Sequence, residues 1–575
     1  MAEEEIDVAA TMQALQERDL KLDPIDFGGE TVEVVFGRSP NLVGGMPELR
    51  TGEVTVEDGI LIEHDVIIEM RDGTKIFADV LRPEGATNIP AIISFAFSRQ
   101  MAGVKEQGVQ PGTISKWHKT ESPEPMYWCH YGYAVVNVDS RGCGMSEGQA
   151  SWWSTQIGQD GYDVVEWTAA QEWCNGKVGA FGNSGVAGEI LQTAVQQPPH
   201  LACIAPWETT TDVYRGYLSP GGIPEVSFCS LVSRLQQGFR NQYVEDLVAN
   251  RERYPYMNAL WEDKIVDLEE IDVPMYCTVG WSHFHLRGSV DMFKEAGTPK
   301  KWVRMHREFE WPDDWQPENI QDLHLFFDRY LKGIHNGWEM TPRIRIDVMD
   351  SHEFDYQHNR PEKEWPLART QYTKLYLNAA ERTMELEAPA EAASTSYDSA
   401  TDHAVFTHTF DEDTELTGHM KLRLWVETDG SDEMDLFCYV QKESAEGEPL
   451  YTAVIGQNHP GAMGYMRVSM RKLDEEKSLE YRPVQSFTES QPLEPGQIVP
   501  VDIEILPTSR IWHKGEKLRL MVSGRYEREP GWFEPFVYAT KNGGNHIIHA
   551  GGEYDSYLLV PVIPPKFVAG DYVVR

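Results

Sequence analysis

The chain has 575 residues, 41% of them apolar and 11% aromatic, which excludes a mainly disordered or fibrous protein and asks for several domains rather than one core. Against 51 Lys+Arg stand 91 Asp+Glu, a formal net charge of −40. Phosphate-backbone binding needs clustered cations and no run here supplies them, so nucleic acid is not expected as a partner and the acidity is read as serving solubility.

Residues 1 to 60 read as a helical start followed by an arm punctuated by Gly and Pro. The segment 64–83 then gives two alternating strands about Asp72-Gly73, a hairpin signal. Short apolar strands follow at 90–97, 133–140, 177–184, 201–208, 273–281 and 301–308. Strands without polar alternation belong to a sheet covered on both faces, and the segments between them carry helical periodicity. The spacing therefore predicts an α/β domain over 61–209 and 271–340 with a mostly parallel sheet, interrupted by a helical cap over 210–270. From 341 to 575 many short alternating strands between Gly, Pro and Asp turns predict an all-β sandwich.

The first residues, "MAEEEIDVAATMQALQERD", lack a basic n-region and an apolar core, so no signal peptide is expected. No run approaches the eighteen or so apolar residues of a membrane span, and no membrane partner is expected. The seven cysteines are odd in number, with no C-x-x-C pair, and several sit in apolar strands. Buried free thiols in the reducing cytoplasm fit this pattern better than a disulfide framework.

The chemistry centres on "KVGAFGNSGVAGE" (177–189), where Ser184 sits among glycines after an apolar strand. A serine becomes a nucleophile when a base takes its proton and a sharp turn lifts it clear of the sheet. Such a nucleophile elbow reads G-x-S-x-G, whereas this chain reads Gly182-Asn183-Ser184-Gly185-Val186. Gly182, Gly185 and Gly188 still leave room for the turn, and the Gly185 N–H falls where an oxyanion donor belongs. His306, ending the strand-like "KKWVRM" well after Ser184, is the candidate base.

With "DSRGCGMSEG" (139–148), "APWETTTDVYRG" (205–216), "KKWVRMHREFEWPDDW" (300–315), "FFDRYLKGIHNGW" (326–338) and "WHKGEKLRLMVSGR" (512–525), the chain resembles the cocaine-esterase-like and X-prolyl dipeptidyl-peptidase-like serine hydrolases. The resemblance spans roughly residues 60 to 570 and implies an α/β-hydrolase domain with a helical cap and a C-terminal jelly-roll domain. It also implies an Asp in a W-x-D context before the histidine strand, but here that loop reads Gly280-Trp281-Ser282-His283-Phe284-His285 and holds no carboxylate. Glu208, after the strand that follows the elbow, is the favoured substitute, with Asp313 or Asp314, or a Ser–His dyad, as the other solutions. The family's second oxyanion donor is a Tyr; Ser98 stands at that place.

His283-x-His285, joined by His306, could compose a three-histidine zinc set, but the surrounding signal is that of a serine hydrolase and no metal is expected. Gly142-x-Gly144 has the wrong spacing for a dinucleotide loop, so no cofactor is expected. His283, Trp207 and Trp281 are expected to line the substrate pocket. The expected enzyme hydrolyses a small ester or amide through an acyl-enzyme. The alternatives are an acyltransferase or cyclase using the same machinery, and a silent binding protein that keeps the fold. A homo-oligomer is compatible with the sequence.

Overall fold

The computed structural model of the protein describes residues 19–38, 49–96, 106–232, 243–529 and 536–565. The helical start expected before residue 19 lies outside the described residues. The arm forms a hairpin of β1 (Leu20–Phe27) and β2 (Glu30–Arg38), turning at Gly28 and Gly29, both at positive φ.

A long mixed sheet carries the site. It is built from β3 (Val54–Glu57), β4 (Ile60–Glu69), β5 (Lys75–Pro83), β6 (Ile89–Ala96), β7 (Ala134–Asp139), β8 (Cys174–Asn183) and β9 (Leu201–Trp207). After β10 (Tyr243–Glu245), which pairs with β2 instead, come β11 (Met275–Gly280), β12 (Lys301–His306), β13 (Ile344–Met349) and β14 (Asp355–Glu362). The order across the sheet is β3-β4-β5-β7-β6-β8-β9-β11-β12-β13-β14. From β7 to β13 neighbouring strands are parallel, while the strands before and after are antiparallel.

Every residue of β7 and β11 is buried, as expected for strands with helices on both faces. The helices Thr155–Ala169 and Ser184–Ala194 pack so closely that a Cβ at Gly161 would lie 1.8 Å from Thr193 Oγ1. Glycine is required there for the second helix to reach the sheet with Ser184 at its tip.

Residues 210–270 hold short helical segments, among them Tyr214–Leu218, Leu247–Arg253 and Ala259–Glu262. Through β10 this insert is joined edge to edge with the N-terminal hairpin, a pairing that sequence periodicity did not suggest. "RIRIDVMD", which reads as a sandwich strand, instead extends the central sheet as β13, with Val303 opposite Ile344. Its far end meets the strand Val499–Trp512, so the sheet runs on into the C-terminal β-region. That region has a separate apolar core, to which Leu422, Leu424 and Val426 contribute alternate side chains beside Ile503, Val501 and Val499 of the neighbouring strand.

All seven cysteines are unpaired, in agreement with the thiol expectation. Among the described residues no helix is long and apolar enough to cross a membrane.

Candidate active site

β8 ends at Asn183 and a helix begins at Ser184, whose φ of 55° lies in the left-handed region that a β-carbon disfavours. The Ser184 N–H donates to the Glu208 carbonyl at 2.8 Å, and Glu208, one residue past β9, is itself at φ 46°. Two adjacent strand ends thus hold each other in strained turns. A Cβ at Gly182 would lie 2.2 Å from Val186 Cγ1, so Val186 occupies the space that Gly182 leaves free. The exchange explains why the fifth position of the motif tolerates valine. Gly188 is required for a different reason: its Cβ would lie 2.1 Å from Trp153 Nε1, which donates to the Gly185 carbonyl at 2.9 Å. Ser184 is half-buried, whereas the rest of the helix is buried. Gly185 lies in the first helical turn, where N–H groups have no intrahelical acceptor and the helix dipole favours negative charge.

The histidine on Ser184 is His285, whose Nε2 lies 3.0 Å from the serine Oγ. His285 immediately precedes the helix Leu286–Glu295, in the loop after β11, and its Nδ1 is hydrogen-bonded to the Tyr217 hydroxyl. Burial pulls His285 well below the ordinary histidine range, which keeps it neutral and able to accept a proton. Glu310, from the loop after β12, brings its carboxylate to 3.5 Å from His285 Nε2 and 3.6 Å from His283 Nε2. Burial pushes Glu310 up, and the carboxylates of Glu121, Glu208 and Asp314 push it further. Burial, then the neighbouring His285 and His306, hold His283 well below the usual range.

His306, expected as the base, is engaged elsewhere. Its Nε2 lies 2.8 Å from Glu208 Oε1, and its Nδ1 faces the Glu308 carbonyl at 3.2 Å and Asp313 Oδ1 at 3.4 Å. Carboxylates stand close to both ring nitrogens, and this charge contact favours the imidazolium. Burial alone would lower it, but Asp313 and Glu208 outweigh that and raise it above the ordinary value. A histidine held as a cation has no lone pair for a serine proton. The cause is register: His306 is the last residue inside β12, opposite Gly280, and the loop beyond the strand delivers Glu310.

The expected partnership of His306 with Glu208 therefore exists, but as an ion pair beneath the site. A Cβ at Gly280 would stand 2.6 Å from Glu208 Oε2, so glycine there makes room for that carboxylate. Asp313 is held by Arg304 and lies below the usual carboxylate range, because Arg304 and His306 overcome its burial. Asp314 accepts from Asn183 Nδ2 at 2.6 Å, and burial pushes it up. Arg215 pairs with Asp212, not with Glu208.

Ser98 lies outside the described residues. Trp207 and Trp281, expected in the pocket, are packed in the core: Trp207 against Phe181 and Tyr276, Trp281 against Trp365 with its Nε1 donating to the Asp347 carbonyl. Strand-end aromatics here turn into the layers beside the sheet. His283 does line an open cleft between the hydrolase sheet and the β-region, with Tyr217, Phe284, Phe536 and Tyr538, beside Ser184 and His285, which are not among its lining residues. Sequence reasoning missed His285, Tyr217 and Glu310 as neighbours of Ser184. One signal was available: histidines stand in the loop where a carboxylate was expected, and a glutamate follows the strand where a histidine was expected.

An elbow serine hydrogen-bonded to an imidazole at the carboxyl ends of a parallel sheet, followed by a C-terminal β-sandwich, defines a serine hydrolase of the α/β-hydrolase class. Residues 72–308 match the X-Pro dipeptidyl-peptidase (S15) family and residues 336–559 match the X-Pro dipeptidyl-peptidase C-terminal non-catalytic domain. A CocE/NonD family hydrolase from Staphylococcus aureus superposes with a TM-score of 0.84 at 32% identity, covering 96% of this chain and 98% of that one. The chain belongs to the CocE/NonD family of hydrolases. A protein named as a serine esterase in Mycobacterium bovis is 23% identical over 80% of this chain and 89% of its own length. Cocaine esterase from Rhodococcus is 24% identical over 56% of this chain and 64% of its own.

Proposed function

We propose that this hydrolase cleaves small carboxylic esters, with Ser184 as nucleophile and His285 as general base. The observation that carries the assignment is the 3.0 Å contact between His285 Nε2 and a serine Oγ held in a positive-φ turn. For Nε2 to accept, the neutral ring keeps its proton on Nδ1 and donates it to the Tyr217 hydroxyl oxygen. The Ser184 proton passes to Nε2 as Oγ attacks the ester carbonyl carbon. The negative charge formed on the carbonyl oxygen faces the Gly185 N–H. The imidazolium returns the proton to the departing alkoxide, leaving an acyl-serine. Water then enters by the same route in reverse. The Glu310 carboxyl group stands 3.5 Å from the nitrogen that carries the transient proton.

Tyr217, which bonds His285, lines the neighbouring cleft with Phe284, Phe536 and Tyr538, and this aromatic wall beside the site supports an ester with an apolar acyl group. The basic groups at the cleft rim are already engaged, Arg287 with Glu504 and Arg215 with Asp212. The esterase names of the relatives support an ester substrate for this chain. The unpaired cysteines support a reducing, cytoplasmic location.

A fluorophosphonate probe is expected to label the protein at one residue, with hydrolysis of a p-nitrophenyl ester lost in parallel. Ser184→Ala is expected to abolish labelling and lower the hydrolysis rate by about 10⁴-fold or more. Labelling at another serine, or hydrolysis that survives the substitution, would remove Ser184 from the reaction.

A further inference from the structure

His283, His285 and Glu310 offer ligating atoms that all lie within 4.8 Å of one another, and all of them are buried. Their closest approaches, 3.6 Å for His283 Nε2 to Glu310 Oε1 and 3.5 Å for His285 Nε2 to Glu310 Oε2, are too long for good hydrogen bonds. They are close to the roughly 3.3 Å that separates two ligands on a tetrahedral zinc with bonds of about 2.0–2.1 Å. His283 Nε2 and Glu310 Oε2 have no hydrogen-bond partner, although these residues are only 5% and 2% exposed. Buried polar atoms left unpaired but converging on one point ask for a cation between them.

The surroundings fit. Metal-bound imidazoles use their second nitrogen on an outer partner. Here His285 Nδ1 has the Tyr217 hydroxyl, and His283 Nδ1 faces Glu208 Oε2 at 3.6 Å. His283 Nδ1 also receives a long 3.3 Å bond from the His285 N–H, which gives way when the ring proton sits on Nδ1 and turns to Glu208. Carboxyl groups outnumber cations here: Glu121, Glu208, Asp314 and Glu106 all bear on Glu310, while the buried cations Arg304 and His306 already pair with Asp313 and Glu208. Two imidazoles and one carboxylate favour zinc and its neighbours over magnesium or calcium. Of the three residues, His283 lines the open cleft.

We propose that His283, His285 and Glu310 form a binding site for a zinc-class divalent cation, and that its occupancy silences the hydrolase by taking the His285 Nε2 lone pair from Ser184. The silencing rests on the reading of His285 as the base; the site itself does not. Both roles use one atom, since Nε2 lies 3.0 Å from Ser184 Oγ and 3.5 Å from Glu310 Oε2. Cation and serine proton are therefore exclusive occupants. The cation binds neutral imidazoles and a carboxylate, and any proton carried by Glu310 is released to solvent.

The test uses the full chain, stripped with chelator and dialysed against zinc chloride. One equivalent of zinc is expected by elemental analysis, with fluorophosphonate labelling slowed by about tenfold or more and restored by EDTA. Ser184→Ala should still bind one equivalent, whereas His283→Gln and Glu310→Gln should each weaken binding by about a hundredfold. Anomalous scattering at the zinc edge from wild-type crystals needs no variant and should place the ion about 2.0–2.3 Å from all three residues. Absence of a bound equivalent, an ion elsewhere, or unchanged affinity in both variants would overturn the site. Zinc seated on the three residues without slowing labelling would overturn the silencing. Full labelling of zinc-free His285→Ala would overturn the catalytic reading alone.

Discussion

The corner at Ser184 and the pair of loops after β11 and β12 follow different rules. The corner is a backbone device: a positive-φ serine, glycines at 182 and 188 under side-chain contacts, and a hydrogen bond from the Ser184 N–H to the next strand end. Few residue types fit such a turn, so it survives a changed fifth position. The loops need only deliver an imidazole and a carboxylate to one point, and either loop can deliver either group. In this chain the first loop brings His283 and His285 and the second brings Glu310, so the order Ser…acid…His of α/β-hydrolases becomes Ser184…His285…Glu310.

His306 makes the sharpest contrast, because it looks catalytic in sequence and is an ion-pair residue in the fold. His306→Asn is expected to destabilise the protein by about 3–5 kcal/mol, since Glu208 would be left buried without its cation while Asp313 keeps Arg304. Chemical denaturation measures this, and a loss below about 1 kcal/mol would argue against a structural imidazolium. Tyr217→Phe removes the partner of His285 Nδ1 and is expected to lower kcat by about ten- to a hundredfold with KM little changed. An effect confined to KM would make Tyr217 a cleft-lining residue only.

The pH dependence separates the two histidines without mutation. A base must be unprotonated, so kcat/KM rises as pH climbs through its pKa. Burial sets His285 well below 6.5, and the acid limb is then expected below pH 6.5 with a plateau at neutrality. If His306 were the base, its raised value would put the limb above pH 6.5. The stability that His306 contributes runs the other way: fully present below pH 6.5, it is lost as pH rises through the raised folded value.

The sheet, the insert and the C-terminal β-region were legible in the sequence because each rests on periodicity over many residues. Ser184 was legible for the same kind of reason, since glycine spacing reports backbone shape. What stayed hidden depends on where single side chains point. His306, the last residue of β12, is turned to Glu208, and the group that reaches His285 from this part of the chain is Glu310, in the short helix beyond the strand. Trp207 and Trp281 likewise read as pocket aromatics but turn into the core, while the cleft takes Phe536 and Tyr538 from a segment hundreds of residues away in sequence. The link between β10 and the N-terminal hairpin joins strands from distant parts of the chain, and no local pattern announces it.

The central claim is that His285, and not His306, activates Ser184. The direct measurement is the rate of Ser184 phosphonylation by a fluorophosphonate in His285→Ala and His306→Asn, each at a temperature where circular dichroism shows it folded. The account predicts a fall of about 10³-fold or more for His285→Ala and less than about tenfold for His306→Asn. The reverse ranking would contradict it.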